Sequence, residues 1–169
     1  MIAKFYNCAP AGDPGRKEQL PRELRALVKS GPRVLGLCEA IGYDLPELEG
    51  YTLIRDTSRP GRANIAAYVE KQGRDLTDVR WHDLDQTWSR TEHPGTHPAR
   101  SWLEFFLDGD QFIIGHQPPK GTDNVLASQR EGVELVVDLM APWITHGNGR
   151  GKNRRRMALA DWNRRRYEF

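Results

Sequence analysis

The sequence predicts an α/β fold, a layered β-sandwich flanked by helices. Three observations predict it. Short apolar, β-prone runs recur along the chain, two stretches carry apolar residues at helical period, and one Asp-Gly turn joins two strands. The order is strand, helix, several strands, hairpin, helix, strand. With 169 residues, 38% of them hydrophobic, the chain has room for one core, so residues 1–169 read as a single domain with a basic C-terminal segment over 150–169.

Each element has its own signal. Ile2 to Tyr6 is apolar and β-prone, a first buried strand ending at Asn7. Ala9 to Gly15 holds two prolines and two glycines and predicts a loop, with Asp13-Pro14 placed to cap and open a helix. Leu20, Leu24, Leu27 and Val28 recur at helical spacing, which predicts a helix from about Arg16 to Lys29, with Pro21 in its first turn or breaking it. Gly31-Pro32 ends it. Arg33 to Cys38 is a compact strand running into Glu39. Tyr51 to Arg55 and Ile65 to Val69 are strands separated by a loop over 56–62, and Leu76 to Trp81 is another. The stretch from His82 to Pro98 is polar and carries no clear period. Trp102 to Leu107 and Phe112 to Ile114 form a hairpin about Asp108-Gly109-Asp110. Thr122 to Ile144 predicts a second helix that buries Val125, Leu126, Val133, Val136, Val137 and Met140. Gly147 to Gly151 then links to a last strand through Met157-Ala158-Leu159-Ala160.

The net charge of +2 hides an asymmetry: residues 150–169 hold eight Lys/Arg against two Asp/Glu, a net +6, which leaves −4 on the 149 residues before them. Such a block suits a polyanionic partner, nucleic acid first, although a run such as Arg154-Arg155-Arg156 is also what a solvated tail looks like. Cys8 and Cys38 are too few for a disulfide framework or a zinc site, which suggests a reducing, cytoplasmic setting. The first residues carry no secretory pattern and no segment has the length of a membrane span, so no membrane association is expected.

Several predicted strand ends finish in a residue suited to a metal ion or a phosphate: Asn7, Glu39, His116, and Asp161 with Asn163. Carboxyl ends of strands in a layered sheet can converge on one rim, where ligands bind. Asp161 and Asn163 lie two apart at the end of the last strand and so share a face. Glu39 supplies a hard oxygen for Mg²⁺ or Mn²⁺, and Asp161 can share the metal or orient a water. Asn7 and Asn163 can bond phosphate oxygens without adding negative charge. His116 can donate a hydrogen bond or a proton. Singly, each has a plainer explanation in turn chemistry or a solvated loop.

Together, and in this order, these segments resemble the endonuclease/exonuclease/phosphatase family, Mg²⁺-dependent phosphodiesterases and phosphatases. Phe5-Tyr6-Asn7 resembles the family's opening strand with its Asn. Leu35-Gly36-Leu37-Cys38-Glu39 resembles its strand ending in Gln-Glu, with Cys38 for Gln. Phe112-Ile113-Ile114-Gly115-His116 resembles the strand ending in His of the deoxyribonuclease branch. Leu159-Ala160-Asp161-Trp162-Asn163 resembles Gly-Asp-Phe-Asn, with Ala160 for Gly and Trp162 for Phe. The resemblance implies a deoxyribonuclease-like sandwich, truncated after the Gly-Asp-Phe-Asn-like strand. It implies Glu39 and Asp161 as metal ligands, and Asn7, Asp161, Asn163 and His116 as catalytic residues. Glu70 lies near the position of a carboxylate that orients the His, though a surface ion pair with Arg62 or Lys71 accounts for it equally. Only Arg164-Arg165-Arg166-Tyr167-Glu168-Phe169 follows, and nothing in it matches the family's later Ser-Asp-His motif.

The expected function is therefore a divalent-metal-dependent phosphodiesterase, a nuclease acting on DNA or RNA, with Arg62, Arg164 and Arg165 binding substrate phosphates. The alternative is a catalytically impaired module on the same fold that binds nucleic acid or protein. A third reading, a small interaction protein using its tryptophans, has less to support it, because tryptophans in strands mostly pack the core. A short second sheet would expose an edge, which a homodimer or a protein partner can cover. The compact, Arg- and Trp-rich style resembles proteins of phages, which places the chain in a bacterial or phage-infected host cell.

Overall fold

The computed structural model describes residues 2–8, 14–85, 88–90, 96–97, 100–117, 122–123, 125–140 and 155–161. Its elements run β1 (Ala3–Asn7), α1 (Pro14–Val28), β2 (Val34–Cys38), β3 (Tyr51–Arg55), α2 (Pro60–Ala63), β4 (Ile65–Glu70), β5 (Leu76–Asp83), β6 (Trp88–Arg90), β7 (Thr96–His97), β8 (Ser101–Leu107), β9 (Asp110–His116), β10 (Thr122–Asp123), α3 (Val125–Met140) and β11 (Arg156–Asp161).

Two four-stranded mixed sheets form the sandwich. The first has the order β1-β2-β4-β3, the second β11-β9-β8-β5, and β10-β6-β7 make a small third sheet. In the first sheet β1 and β2 are parallel and β4 runs against β2; in the second, β11 and β9 are parallel and β8 runs against β9. Carboxyl ends of β1, β2, β9 and β11 therefore point the same way within their sheets, whereas β4 brings its amino end to the end of β2, with Cys38 opposite Ile65.

Period-two alternation sorts the side chains into three cores. Val34, Ile65, Ala67 and Val69 of the first sheet meet Leu103, Phe105, Leu107, Phe112 and Ile114 of the second. Phe105 and Phe112 stack across the second sheet with centroids 5.4 Å apart. The other face of the first sheet, Leu35, Leu37, Ala66 and Tyr68, takes Leu20 and Leu24 of α1. The outer face of the second sheet, Trp102 and Ile113, takes Val136 of α3, with Leu135 and Leu139 beside it. The layers run helix, sheet, sheet, helix, so β2 and β4 are buried on both faces. At Gly36 the sheets approach so closely that a Cβ there would stand 3.0 Å from the Ile114 side chain and 3.3 Å from that of Phe5.

Several sequence expectations need correction. Pro21 neither opens nor breaks α1, which runs through it; the burial of Leu20 and Leu24 on either side offsets the lost hydrogen bond. The loop over 56–62 contains the start of the one-turn helix α2, too short to show any period. Thr122 and Asp123 pair with β6 instead of starting α3. On α3, Val137 is exposed and Leu135 and Leu139 take the inward positions with Val136. The Asp-Gly hairpin turn is formed, with Asp108 at φ 52° and Gly109 at φ 81°. The linker over 147–151, the last residues (141–144) of the helix expected to reach Ile144, and the tail beyond 161 lie outside the described residues.

Candidate active site

Three of the predicted strand-end residues meet at one rim. Asn7 closes β1 and Glu39 follows β2; the Asn7 amide Nδ2 donates to Glu39 Oε1 at 3.1 Å. His116 closes β9 on the facing sheet, and its Nε2 lies 3.6 Å from the same Oε1. Glu39 thus stands between an amide of its own sheet and an imidazole of the other. The Glu39 side chain keeps 26% of its accessible surface, whereas that of His116 keeps 4%. Glu39 has φ 54°, the left-handed region that side-chain-bearing residues rarely occupy. Its neighbours hold that turn: the Ala40 N–H donates to the Asn64 carbonyl at 3.1 Å, and the Cys8 N–H to the Cys38 carbonyl at 2.9 Å.

Asp161 is the register partner of His116, so the ends of β9 and β11 lie side by side. The side chain of Asp161, and Asn163, Arg164 and Arg165 altogether, lie outside the described residues. Among the described residues, no cluster of three or more His, Cys, Asp or Glu could hold a metal ion.

Sequence reasoning missed Asn64. Its Nδ2 lies 2.9 Å from His116 Nδ1, both residues being buried. It stands where the orienting carboxylate was expected, and Glu70 does not: Glu70 closes β4 at the opposite end and pairs with Arg74 at 2.9 Å. An Asn before a strand carries no pattern, and the antiparallel direction of β4 that brings its amino end to the rim is seen only in the fold.

Arg62 is engaged by two carboxylates. Nε and Nη2 donate to Asp83 at 2.8 and 2.7 Å, and Nη1 donates to Asp56 at 2.7 Å. Ser101 Oγ donates to Asp83 at 2.8 Å. The guanidinium of Arg62 holds the Asp83 carboxyl below the usual range, while the Ser58 hydrogen bonds and then Arg62 lower Asp56 to about 2. Asp83, followed by Asp56, raises the pKa of Arg62 in turn. All three guanidinium nitrogens of Arg62 therefore face carboxylates, and the phosphate contact expected of it has these ion pairs as competitors.

The thiols beside the site are quiet. Cys8 and Cys38 are free and fully buried, and they face different cores. Burial pushes the Cys8 thiol up to about 12.

Two facing mixed sheets between helices, with a polar rim at the strand ends, also describe a set of solved structures. An endonuclease/exonuclease/phosphatase family protein from Bacteroides thetaiotaomicron superposes with a TM-score of 0.63 at 16% identity, over 95% of this chain and 62% of that one. This is the endonuclease/exonuclease/phosphatase fold. TDP2 from Caenorhabditis elegans shares it with a TM-score of 0.63 at 14% identity, over 96% of this chain and 48% of that one. The human Nocturnin catalytic domain, solved with a bound sulfate anion, matches with a TM-score of 0.60 at 13% identity, over 94% of this chain and 63% of its own. The chain spans 46% to 63% of the length of such endonuclease/exonuclease/phosphatase-like structures. No family model matches the chain, and no curated protein matches it by sequence. Among the described residues, no helix is long and apolar enough to cross a membrane.

Proposed function

We propose that the rim hydrolyses phosphodiesters with the help of a divalent metal ion, and that the substrate is DNA or RNA. The observation that carries this reading is the meeting of Asn7, Glu39 and His116 within 3.1 and 3.6 Å of one carboxylate oxygen. The donor set fits Mg²⁺ or Mn²⁺: Mg²⁺ sites use one or two carboxylates and complete their shell with water and substrate phosphate. Glu39 offers a partly accessible carboxylate beside an amide and an imidazole, and Asp161, at the end of the neighbouring β11, would be the second. When bound, the ion would neutralise charge gathering on the phosphoryl oxygens.

The chain's own residues supply the rest. Asn7 and Asn163 hydrogen-bond phosphate oxygens, Asp161 orients the attacking water, and His116 donates from Nε2 to the phosphoryl or leaving oxygen. Arg164 and Arg165 draw in the polyanion. The buried free thiols suit a reducing cell interior. β1 and β11 end their sheets, and a second copy or a partner strand can add along those edges; sedimentation of the pure protein tests this.

The experiment is plasmid nicking with Mg²⁺, Mn²⁺ or chelator, beside Glu39→Ala. Metal-dependent nicking by the parent and its loss in the variant support hydrolysis. No nicking, with a gel shift that weakens as salt rises, supports the second reading, a binding module on the same fold. The +6 charge of residues 150–169 favours that alternative.

A further inference from the structure

We propose that Asn64 is a positioning residue that fixes His116 in its Nε2–H tautomer, so that the neutral ring presents its N–H to the rim. The inference deepens the phosphodiester reading, and its chemical use rests on that reading; the tautomer itself does not.

Two neighbours on opposite sides of the ring ask for the same tautomer. Asn64 Nδ2 lies 2.9 Å from His116 Nδ1. An amide nitrogen only donates, so Nδ1 must accept with its lone pair. On the other side Nε2 lies 3.6 Å from Glu39 Oε1. A carboxylate oxygen only accepts, so an Nε2 lone pair there would face negative charge, and an Nε2–H is favoured instead. The opposite tautomer would set Nδ1–H against the amide N–H and the Nε2 lone pair against the carboxylate. Both contacts would turn repulsive at a ring that is 4% exposed and has little water to relieve it.

The backbone and α2 hold Asn64 in place for this task. Its carbonyl receives the Ala40 N–H, tying it to the turn that carries Glu39. Two residues earlier, Arg62 is clamped to Asp56 and Asp83, and Ser101 of the second sheet braces Asp83. Arg62 thus acts on His116 at one remove, by fixing the helix that delivers Asn64. A carboxylate at position 64 would accept a hydrogen from Nδ1 and select the other tautomer in the neutral ring. With the amide, a phosphoryl oxygen arriving beside Glu39 meets an N–H without any prior proton shift.

The test is ¹⁵N NMR of histidine-labelled protein, without metal or substrate, at pH 8, with His116 assigned by its loss in His116→Gln. The expected result is a protonated Nε2 and an unprotonated Nδ1. In Asn64→Asp the protonated-nitrogen signal moves to Nδ1, and in Asn64→Leu, where Glu39 alone still favours Nε2–H, a minor Nδ1–H form appears beside it. A dominant Nδ1–H in the parent protein overturns the proposal even if no variant folds. So does an Nε2–H that persists unchanged in Asn64→Asp and Asn64→Leu. Because no substrate is present, a protein that never cleaves a phosphodiester can still show the tautomer, and the two readings fail separately.

Discussion

Trp102 lies flat against Gly115: a Cβ built on Gly115 would sit 2.2 Å from the indole ring. Both belong to the strand pair β8–β9, and Gly115 directly precedes His116. Gly115→Ala therefore forces Trp102 or the end of β9 to move. Overpacking of this kind costs about 1–3 kcal/mol or more. The expected outcome is a lower denaturant midpoint together with a displaced His116 signal, read by urea unfolding and NMR. An alanine variant as stable as the parent would mean that the indole has room to swing aside.

Acid should loosen the clamp beside the site. Asp83 and Asp56 are both held below the ordinary carboxylate value of about 4, Asp83 first by Arg62, Asp56 first by Ser58 and down to about 2. A depressed folded-state pKa gives stability that is present above the unfolded value and lost as pH falls through the folded one. The window therefore runs from about pH 4 down toward pH 2. Melting temperature should fall across it in the parent and fall less steeply in Asp83→Asn, which starts lower because Arg62 loses a partner.

Neither thiol should react in the folded protein. Cys8 and Cys38 are fully buried, and the Cys8 pKa of about 12 leaves almost no thiolate at pH 8. Ellman's reagent should find no fast thiol in native protein and two in denaturant. A fast native thiol would mean that the β1–β2 end opens readily.

Pro21 should be a site of gain. Within α1 it removes the bond to the Lys17 carbonyl and crowds that oxygen. Pro21→Ala should raise unfolding free energy by about 1–3 kcal/mol, measured by urea unfolding, with the site unaffected.

The tail and the rim should separate by mutation. Reversing charge at Arg164, Arg165 and Arg166 should weaken nucleic-acid binding whatever the base sequence, and lower the salt slope by about 1 for each lost phosphate contact. Glu39→Ala should leave that binding largely intact. Equal loss of binding in both variants would mean that the rim itself carries the affinity.

Much of this was legible in the sequence because strand ends are. Asn7, Glu39 and His116 each close an apolar run, and β1, β2 and β9 all direct their carboxyl ends to one rim. The same rule misled at Glu70, since strand direction is not written in a run of apolar residues. β4 runs the other way, so its last residue points to the far end and the residue before it, Asn64, reaches the histidine. Arg62 shows a second limit. An arginine in a polar loop looks available for phosphate, and only the fold brings Asp83, 21 residues on, against it. Val137 shows a third, because the inward face of α3 depends on how the helix is rotated about its axis, which its neighbours decide.

The missing side chain at Gly36 acts as a spacing gauge. Ile114 and Phe5 fill the room where a methyl would sit, and that contact sets how far apart the two sheets ride. Glu39 lies three residues up one sheet and His116 two residues up the other, so their separation is inherited from this point below them. A Gly36→Ala shim would wedge the sandwich open from inside, widening the Glu39–His116 gap without touching either residue.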